Sequence, residues 1–200
     1  MTLHSPHKPY LLGLGGSKRA GSVSEKALVA ALRKAEDLGA ETNLLNGPAL
    51  ELPLYAPDER EQSSTAQAFL DEVRRADGFI LASPSYHCGI SGLLKNAIDY
   101  IQYLSTEPAP YFSGRAVGII AVGAGWQGAV ATLNALRIST HALRGWPTPL
   151  GVPINAQECA FDSNGDCLTP KLDTQLATMA GEVMSFAQSC GNRARAVASR

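Results

Sequence analysis

Apolar residues along this 200-residue chain follow two rhythms that alternate from one end to the other. Tyr10–Gly15 is a short apolar run ending in glycine, the pattern of a buried strand. After a polar stretch, Ala27, Leu28, Ala31, Leu32, Ala35 and Leu38 recur at helical spacing. Gly39 stands where a helix C′ residue should, and Glu41–Leu45 predicts a second strand after a short turn. Leu50–Glu61, rich in proline and acid, reads as a connection. Thr65–Ala76 then places Ala66, Phe69, Leu70, Val73 and Ala76 on one helical face, and Gly78–Ala82 predicts a third, buried strand. Ser91 is a candidate N-cap for a helix carrying Leu94, Ala97, Ile98, Ile101 and Leu104. Ala116–Val122 has no charge and is apolar on both faces, as a central parallel strand should be. Ala129, Leu133, Leu136 and Leu143 give a fourth helix, and Pro149–Ile154 a short fifth strand whose prolines suit an edge. Lys171–Ala187 closes the pattern as an amphipathic helix with Leu172, Leu176, Met179, Val183 and Phe186 inward.

Alternation of this kind predicts a single domain over residues 1–190: a five-stranded parallel sheet with helices on both faces, the three-layer α/β architecture. Past Ser189 the chain turns polar and basic, and residues 191–200 are expected to be a disordered tail. Ligands of such sheets bind beyond the carboxyl ends of the strands, so the chemistry is expected in the loops after residues 15, 82 and 122.

Composition narrows the choice of partners. A chain of this length buries roughly 70% of its unfolded surface without help from disulfides or metals. Seventeen Lys and Arg against 18 Asp and Glu leave a formal charge of −1 with no basic run. That disfavours nucleic-acid and anionic-membrane partners, which need clustered cations. No apolar stretch approaches the roughly 20 residues of a membrane helix, and Met1–Pro9 has no apolar core of a secretory signal, so the expected location is cytoplasmic. Cys88, Cys159, Cys167 and Cys190 are widely spaced without a C-x-x-C pair and are expected to be free thiols that bind no metal. The four histidines form no H-E-x-x-H pattern, and no G-x-S-x-G elbow is present.

The first loop, Gly15–Ser24, combines small residues, three hydroxyls, a Lys and an Arg ahead of a helix N-terminus, which suits an anion. Lys18 breaks a dinucleotide fingerprint begun at Gly13, and Ser22 breaks a Walker A begun at Gly16. A terminal phosphate monoester such as that of FMN fits better, held by Ser17, Arg19, Ser22 and Ser24. The other reading is a solvated turn with Ser24 capping the helix.

The second loop runs Ser83-Pro84-Ser85-Tyr86-His87-Cys88-Gly89-Ile90-Ser91-Gly92 into Leu93-Leu94-Lys95-Asn96-Ala97-Ile98-Asp99-Tyr100. It resembles the T-P-E-Y-N-x-x-x-P-G-x-L-K-N-x-x-D-[WY] signature of the NAD(P)H-dependent FMN reductase family. Pro84, Tyr86, Gly92, Leu94, Lys95, Asn96, Asp99 and Tyr100 match, while Ser83, Ser85, His87 and Ser91 depart from it. Gly16, Ser17, Arg19 and Ser22 likewise resemble the family's G-S-x-R-x-x-S phosphate motif.

The resemblance implies a flavodoxin-like fold with strand order 2-1-3-4-5, an FMN cofactor and NAD(P)H as co-substrate. It further implies ping-pong hydride transfer to a small-molecule acceptor (free flavin, quinone, azo compound or oxidised metal species) by a homodimer or tetramer. The first loop would hold the phosphate. Pro84, Ser85, Tyr86, His87 and Gly89 would pass along the flavin ring, and Gly123, Ala124, Gly125 and Gln127 in the third loop would complete its pocket. Pro, Gly and small residues allow the close backbone approach a flat ring needs. No side chain is assigned a catalytic role, because the cofactor carries the chemistry; His87 is a proton-donor candidate or a histidine bonded to backbone. Tyr86 either stacks on the ring or supports the loop, and Cys88 is either a redox-sensitive exposed thiol or a buried inert one. Trp126 either walls the substrate side or packs at a subunit contact. Lys95 and Asp99, one turn apart, read as a structural ion pair. Two other classes fit the same elements: a flavodoxin-like electron carrier, which would want a strongly charged docking face, and a response-regulator-like switch, which would want acids at the strand ends.

Overall fold

The structure, a computed structural model, describes residues 8–58 and 63–198, by backbone alone beyond Cys190. Its strands are β1 (Tyr10–Gly15), β2 (Glu41–Asn46), β3 (Gly78–Tyr86), β4 (Gly89–Ile90), β5 (Ala116–Gly123), β6 (Trp146–Pro147) and β7 (Val152–Asn155). The helices are α1 (Val23–Asp37), α2 (Ser64–Arg75), α3 (Gly92–Tyr100), α4 (Trp126–Ala142) and α5 (Pro170–Ala198).

The sheet order is β2-β1-β3-β5-β6, with β4 paired to β3 and β7 to β5. All pairings are parallel except the short β3–β4 ladder. This is the expected 2-1-3-4-5 arrangement with seven strands in place of five. β6 and β7 both pair with β5, at Ala116–Val117 and at Ile120–Gly123, and together they fill the fifth position. Pro147 and Pro149 interrupt that strand, since neither has an N–H for the ladder, while Thr148 N between them still donates to Val117 O at 3.0 Å.

Two other differences concern element ends. β3 does not stop at Ala82 but runs on through the stretch that reads as a loop, to Tyr86. Ala82 O accepts from Gly16 N, so Pro84 faces the same side of the strand, where β1 has already departed and a missing N–H costs no ladder bond. α5 likewise continues to Ala198 instead of giving way to a disordered tail at residue 191. Arg and Ala there are good helix formers and no proline follows. Residues 199–200 of that expected tail, and the end of the predicted connection at 59–62, lie outside the described residues.

Alternation along the central strands divides the core into two layers. Leu12, Leu14, Phe79, Leu81, Val117 and Ile119 pack with α2, α3 and α4, while Leu28, Ile80, Ile120, Val122, Leu176 and Met179 form the layer under α1 and α5. Glycine lets α5 come down on the sheet: a Cβ at Gly118 would lie 3.1 Å from Met179 Sδ. At the amino-terminal edge the buried Arg115 guanidinium donates to Val73 O at 2.6 Å and Ala76 O at 3.3 Å, which closes off the end of α2. No helix among the described residues is long and apolar enough to cross a membrane.

The fold's tightest crossing is at Gly16. A Cβ there would collide with Ser91 Oγ and lie 2.9 Å from Leu94 Cβ, whereas one at Gly92, one residue on from that cap, would meet nothing within 4 Å. Gly16→Ala should therefore destabilise the fold by about 1–3 kcal/mol, and Gly92→Ala should leave stability level or higher. Urea midpoints for the two variants check this; equal midpoints would refute the crowding.

Candidate active site

Adjacent parallel strands deliver the three loops to one edge. Gly15 is in register with Ala82 and Asn46, Pro84 with Val122, and Asn155 with Gly123, so the carboxyl ends of β2, β1, β3, β5 and β7 lie side by side.

In the first loop Ser17, Ser22 and Ser24 are all buried at the start of α1. Ser22, not Ser24, is the N-cap: its Oγ accepts from Glu25 N at 3.3 Å, and Ser24 Oγ lies 3.2 Å from it. Ser24 sits within the first turn, so its hydroxyl adds to the cap rather than forming it. Ser17 Oγ accepts from Arg19 N at 3.1 Å, which folds the chain back on itself and presents Lys18, Arg19, Ala20 and Gly21 to solvent. Lys18 is paired with Glu51 at 2.9 Å; the Arg19 guanidinium has no carboxylate partner among the described residues. Glu25 was missed by the sequence reading. Its carboxylate accepts from Gly21 N at 2.6 Å and from Asn46 Nδ2 at 2.8 Å, pinning the loop to the end of β2. The Ser22-x-x-Glu25 spacing of a capping box was its signal.

The second loop is a hairpin. β3 turns at His87-Cys88 into β4, with Ser85 opposite Ile90 and Tyr86 opposite Gly89. His87 and Cys88 have φ of 52° and 63°, both left-handed, which is the geometry of a two-residue type I′ turn. Tyr86, His87 and Cys88 are exposed, Tyr86 by 58%, so Cys88 is the exposed rather than the buried thiol. Pro84, Ser85 and Gly89 are half-buried behind them. Ser85 is not turned to the open edge: its Oγ meets the buried Thr132 hydroxyl of α4 at 2.9 Å, and the same hydroxyl reaches Gly89 O at 3.1 Å. Ser83, also buried, accepts from Ser91 N at 3.0 Å, and Ser91 Oγ caps α3 as expected. Lys95 and Asp99 form the expected ion pair on the surface, at 2.7 Å.

The third loop is the most crowded. A Cβ at Gly123 would lie 2.7 Å from both Ala129 N and Gly125 O, and one at Gly128 would lie 2.9 Å from Ser85 Oγ. Gly123, Ala124 and Gly125 thus bring bare backbone to the start of α4, with Gln127 exposed beside it. Trp126 opens the helix half-exposed, its Nε1 donating to Glu158 Oε1 at 3.0 Å. Asn155, Glu158 and Thr132, also absent from the sequence reading, fix this end of the edge. Behind it, burial first and then the nearness of Cys167 raise the Cys159 thiol, and burial raises Cys167, so both remain protonated at neutral pH.

All thirteen sequence-predicted binding residues therefore stand on the three neighbouring loops. The arrangement offers an anion cradle of buried hydroxyls, an uncompensated Arg and a helix N-terminus. Next to it lies a glycine-lined shelf flanked by exposed Tyr86 and Trp126.

A family profile described as NADPH-dependent FMN reductase matches residues 9–158. An NAD(P)H-dependent FMN reductase from Pseudomonas aeruginosa is 31% identical over 167 residues, 80% of this chain and 85% of that protein. A probable NADPH:quinone oxidoreductase from Oryza sativa is 27% identical over 188 residues, 92% of this chain and 91% of that protein. Among solved structures, a flavoenzyme NAD(P)H:(acceptor) oxidoreductase from Paracoccus denitrificans superposes with a TM-score of 0.73 at 19% identity, covering 90% of this chain and 98% of that one.

The hairpin turn carries strain that the matching signature, with Asn after its Tyr, lessens. Left-handed backbone costs an ordinary side chain about 1–2 kcal/mol, and glycine avoids most of that cost. Cys88→Gly should raise unfolding stability by about 0.5–1 kcal/mol. A lower melting temperature for this variant would rule the turn strain out.

Proposed function

The chain belongs to the NADPH-dependent FMN reductase family, and from that premise we propose that it oxidises NAD(P)H through bound FMN in a ping-pong cycle that reduces a small-molecule acceptor. Quinones and free flavins are the favoured acceptors, because the names of its relatives include both reductase types and the shelf is lined by glycine backbone. The observation that carries this reading is the cradle: three buried hydroxyls and a cation with no carboxylate partner among the described residues, two strands along from bare backbone.

The residues fit the cofactor in both halves. Ser17, Ser22 and Ser24 can each give a hydroxyl hydrogen to a phosphate monoester, with Arg19 closing over it from the solvent side. The N–H groups at the start of α1 and its dipole favour the dianion. Pro84, Tyr86, His87 and Gly89 would flank the ring, and Ser85 would do so through its backbone because its hydroxyl is held by Thr132. Gly123, Ala124 and Gly125 at the start of α4, with Gln127, serve its pyrimidine end, where helix-start N–H groups stabilise negative charge. Bound there, FMN would supply the redox chemistry, a two-electron acceptor for the hydride of NAD(P)H and a donor for the small-molecule acceptor. The protein's part is to hold one ring face open at van der Waals distance from whichever partner occupies it, and nucleotide and acceptor must use that face in turn. His87, exposed at the hairpin tip, is the side chain placed to donate a proton there.

We take the active form to be a homo-oligomer, dimer or tetramer. Val130 and Ile138 stand exposed on α4, and a cleft of about 420 Å³ separates α3 from α4 near Ile98 and Leu143. The cytoplasm, where reduced pyridine nucleotides are regenerated, is its compartment in this reading.

Protein loaded with FMN and desalted should retain flavin absorbance that bleaches anaerobically within seconds of adding NADPH. Retained bands that do not bleach would instead fit the electron carrier. Double-reciprocal plots against NADPH at several acceptor concentrations should be parallel, and intersecting lines would rule out ping-pong order. Arg19→Ala should weaken FMN binding about 10- to 150-fold, the 1.5–3 kcal/mol of a hydrogen bond to a charged group, and leave riboflavin binding as it was. Equal loss for both ligands in a fluorescence titration would remove Arg19 from the phosphate. Light scattering should return a multiple of 21.1 kDa, and the monomer mass would refute the oligomer.

A further inference from the structure

A cleft of about 310 Å³ opens beside the third loop, between the start of α4, the end of β7 and the first turn of α5. It is separate from the cradle and the hairpin, and neither uses it. Its lining combines one flat aromatic wall, an apolar floor and one cation: Trp126, then Ile154 and Leu172, then Lys171 at the mouth.

The aromatic wall is fixed in place. Trp126 Nε1 donates to Glu158 Oε1 at 3.0 Å, and Asn155 Nδ2 donates to the same oxygen at 2.5 Å. Asn155 is itself set by its register with Gly123. The indole is held at one edge while half its surface faces solvent, and the one carboxylate in the cleft is occupied by those two donors. Ile154 and Leu172 beneath are buried. Lys171 is exposed and, among the described residues, no carboxylate pairs with it, although Lys34 nearby is matched with Asp173 at 2.7 Å and Arg33 with Asp166 at 2.9 Å. A fixed indole face a short way from an unpaired ammonium suits a planar heteroaromatic ring that carries a phosphate.

Size and position choose among such ligands. The volume lies at the lower end of small-molecule sites, enough for one nucleoside and too little for a dinucleotide. Gly125 directly precedes Trp126, so the cleft continues the shelf that the flavin ring would occupy, and the nicotinamide would lie over that ring. A nucleotide with its nicotinamide there must lay its other end beyond the three loops, and this cleft is on the outer side, away from the phosphate cradle. We propose that the cleft is the subsite for the adenosine phosphate end of the reduced pyridine nucleotide, with the adenine against Trp126 and a phosphate on Lys171. This rests on the reductase reading above.

The test uses FMN-loaded enzyme and three probes: 2′,5′-ADP, 5′-ADP, and reduced nicotinamide mononucleotide, which has a nicotinamide but no adenosine. At least one adenosine phosphate should quench tryptophan fluorescence and compete with NADPH, and Trp126→Phe should remove the quench while Trp146 still reports the background. Lys171→Ala should raise KM for NADPH about fivefold relative to KM for the mononucleotide, the scale of one exposed charge contact. Whichever adenosine phosphate loses more affinity in that variant identifies the phosphate that meets Lys171. Binding by neither adenosine phosphate, or an equal rise in KM for NADPH and the mononucleotide, would overturn the proposal. Failure of the reductase reading looks different, because wild-type enzyme would then be bleached by neither NADPH nor the mononucleotide.

Discussion

At the carboxyl edge of this sheet, backbone has to pass backbone. The carboxyl ends of neighbouring parallel strands lie side by side, and β1 and β5 hand the chain through short loops to α1 and α4. The crossings are too close for side chains: Gly16 passes the cap of α3, Gly123 the first turn of α4, and Gly128 the hydroxyl of Ser85. Absence of Cβ atoms at these points leaves peptide groups as the lining of the edge. Bare peptide with a helix start behind it is a surface for anions and flat polar rings. The packing requirement of the fold and the chemistry of the site are therefore met by the same residues.

Hydroxyls tie the crossings together. Ser83 holds the start of α3, Thr132 holds the hairpin to α4, and Ser22 with Glu25 sets the curve of the first loop. Each is a short side chain bonded within its own neighbourhood, so the loops are shaped before any ligand arrives, which lowers the ordering cost of binding. Glu25 adds a negative charge at the first turn of α1, where the helix dipole favours it. Arg19 on the exposed side of the loop offsets it, and the cradle keeps its preference for anions.

Much of this was legible in the residues. The alternation of strand and helix, the stop at Gly39, the cap at Ser91 and the Lys95–Asp99 pair all follow from local pattern, because each depends on residues near in sequence. What escaped has identifiable causes. Ser83-Pro84-Ser85-Tyr86 has the composition of a loop, but a strand needs only a partner, and β5 and then β4 supply one. The type I′ turn that reverses it holds His87-Cys88 in place of the Asn-Gly or Asp-Gly that announces such turns. Beyond Ser189 there is no apolar stripe, yet helix propensity and the absence of proline carry α5 to Ala198. The cleft at Trp126 brings together Trp126, the Asn155–Glu158 turn and Lys171, three segments far apart in sequence. No window of sequence contains that juxtaposition.

The titratable groups nearest the edge show how the labour is divided. Cys159 and Cys167 are kept as thiols chiefly by burial, with Cys167 adding to the rise at Cys159, so neither is a ready nucleophile or thiolate electron donor. The carboxylates close by, Glu25 and Glu158, are engaged by N–H donors that orient loops and an indole. Two aromatic side chains at the edge stand open to water: Tyr86 at the hairpin and Trp126 at the start of α4, 58% and 50% exposed. Covering such faces with flat, weakly hydrated ligands removes apolar area from water at roughly 25 cal/mol per Å². Exposed aromatic faces of this kind suit flat ligands, and in a family of FMN reductases the redox chemistry is the cofactor's while the protein supplies binding and orientation.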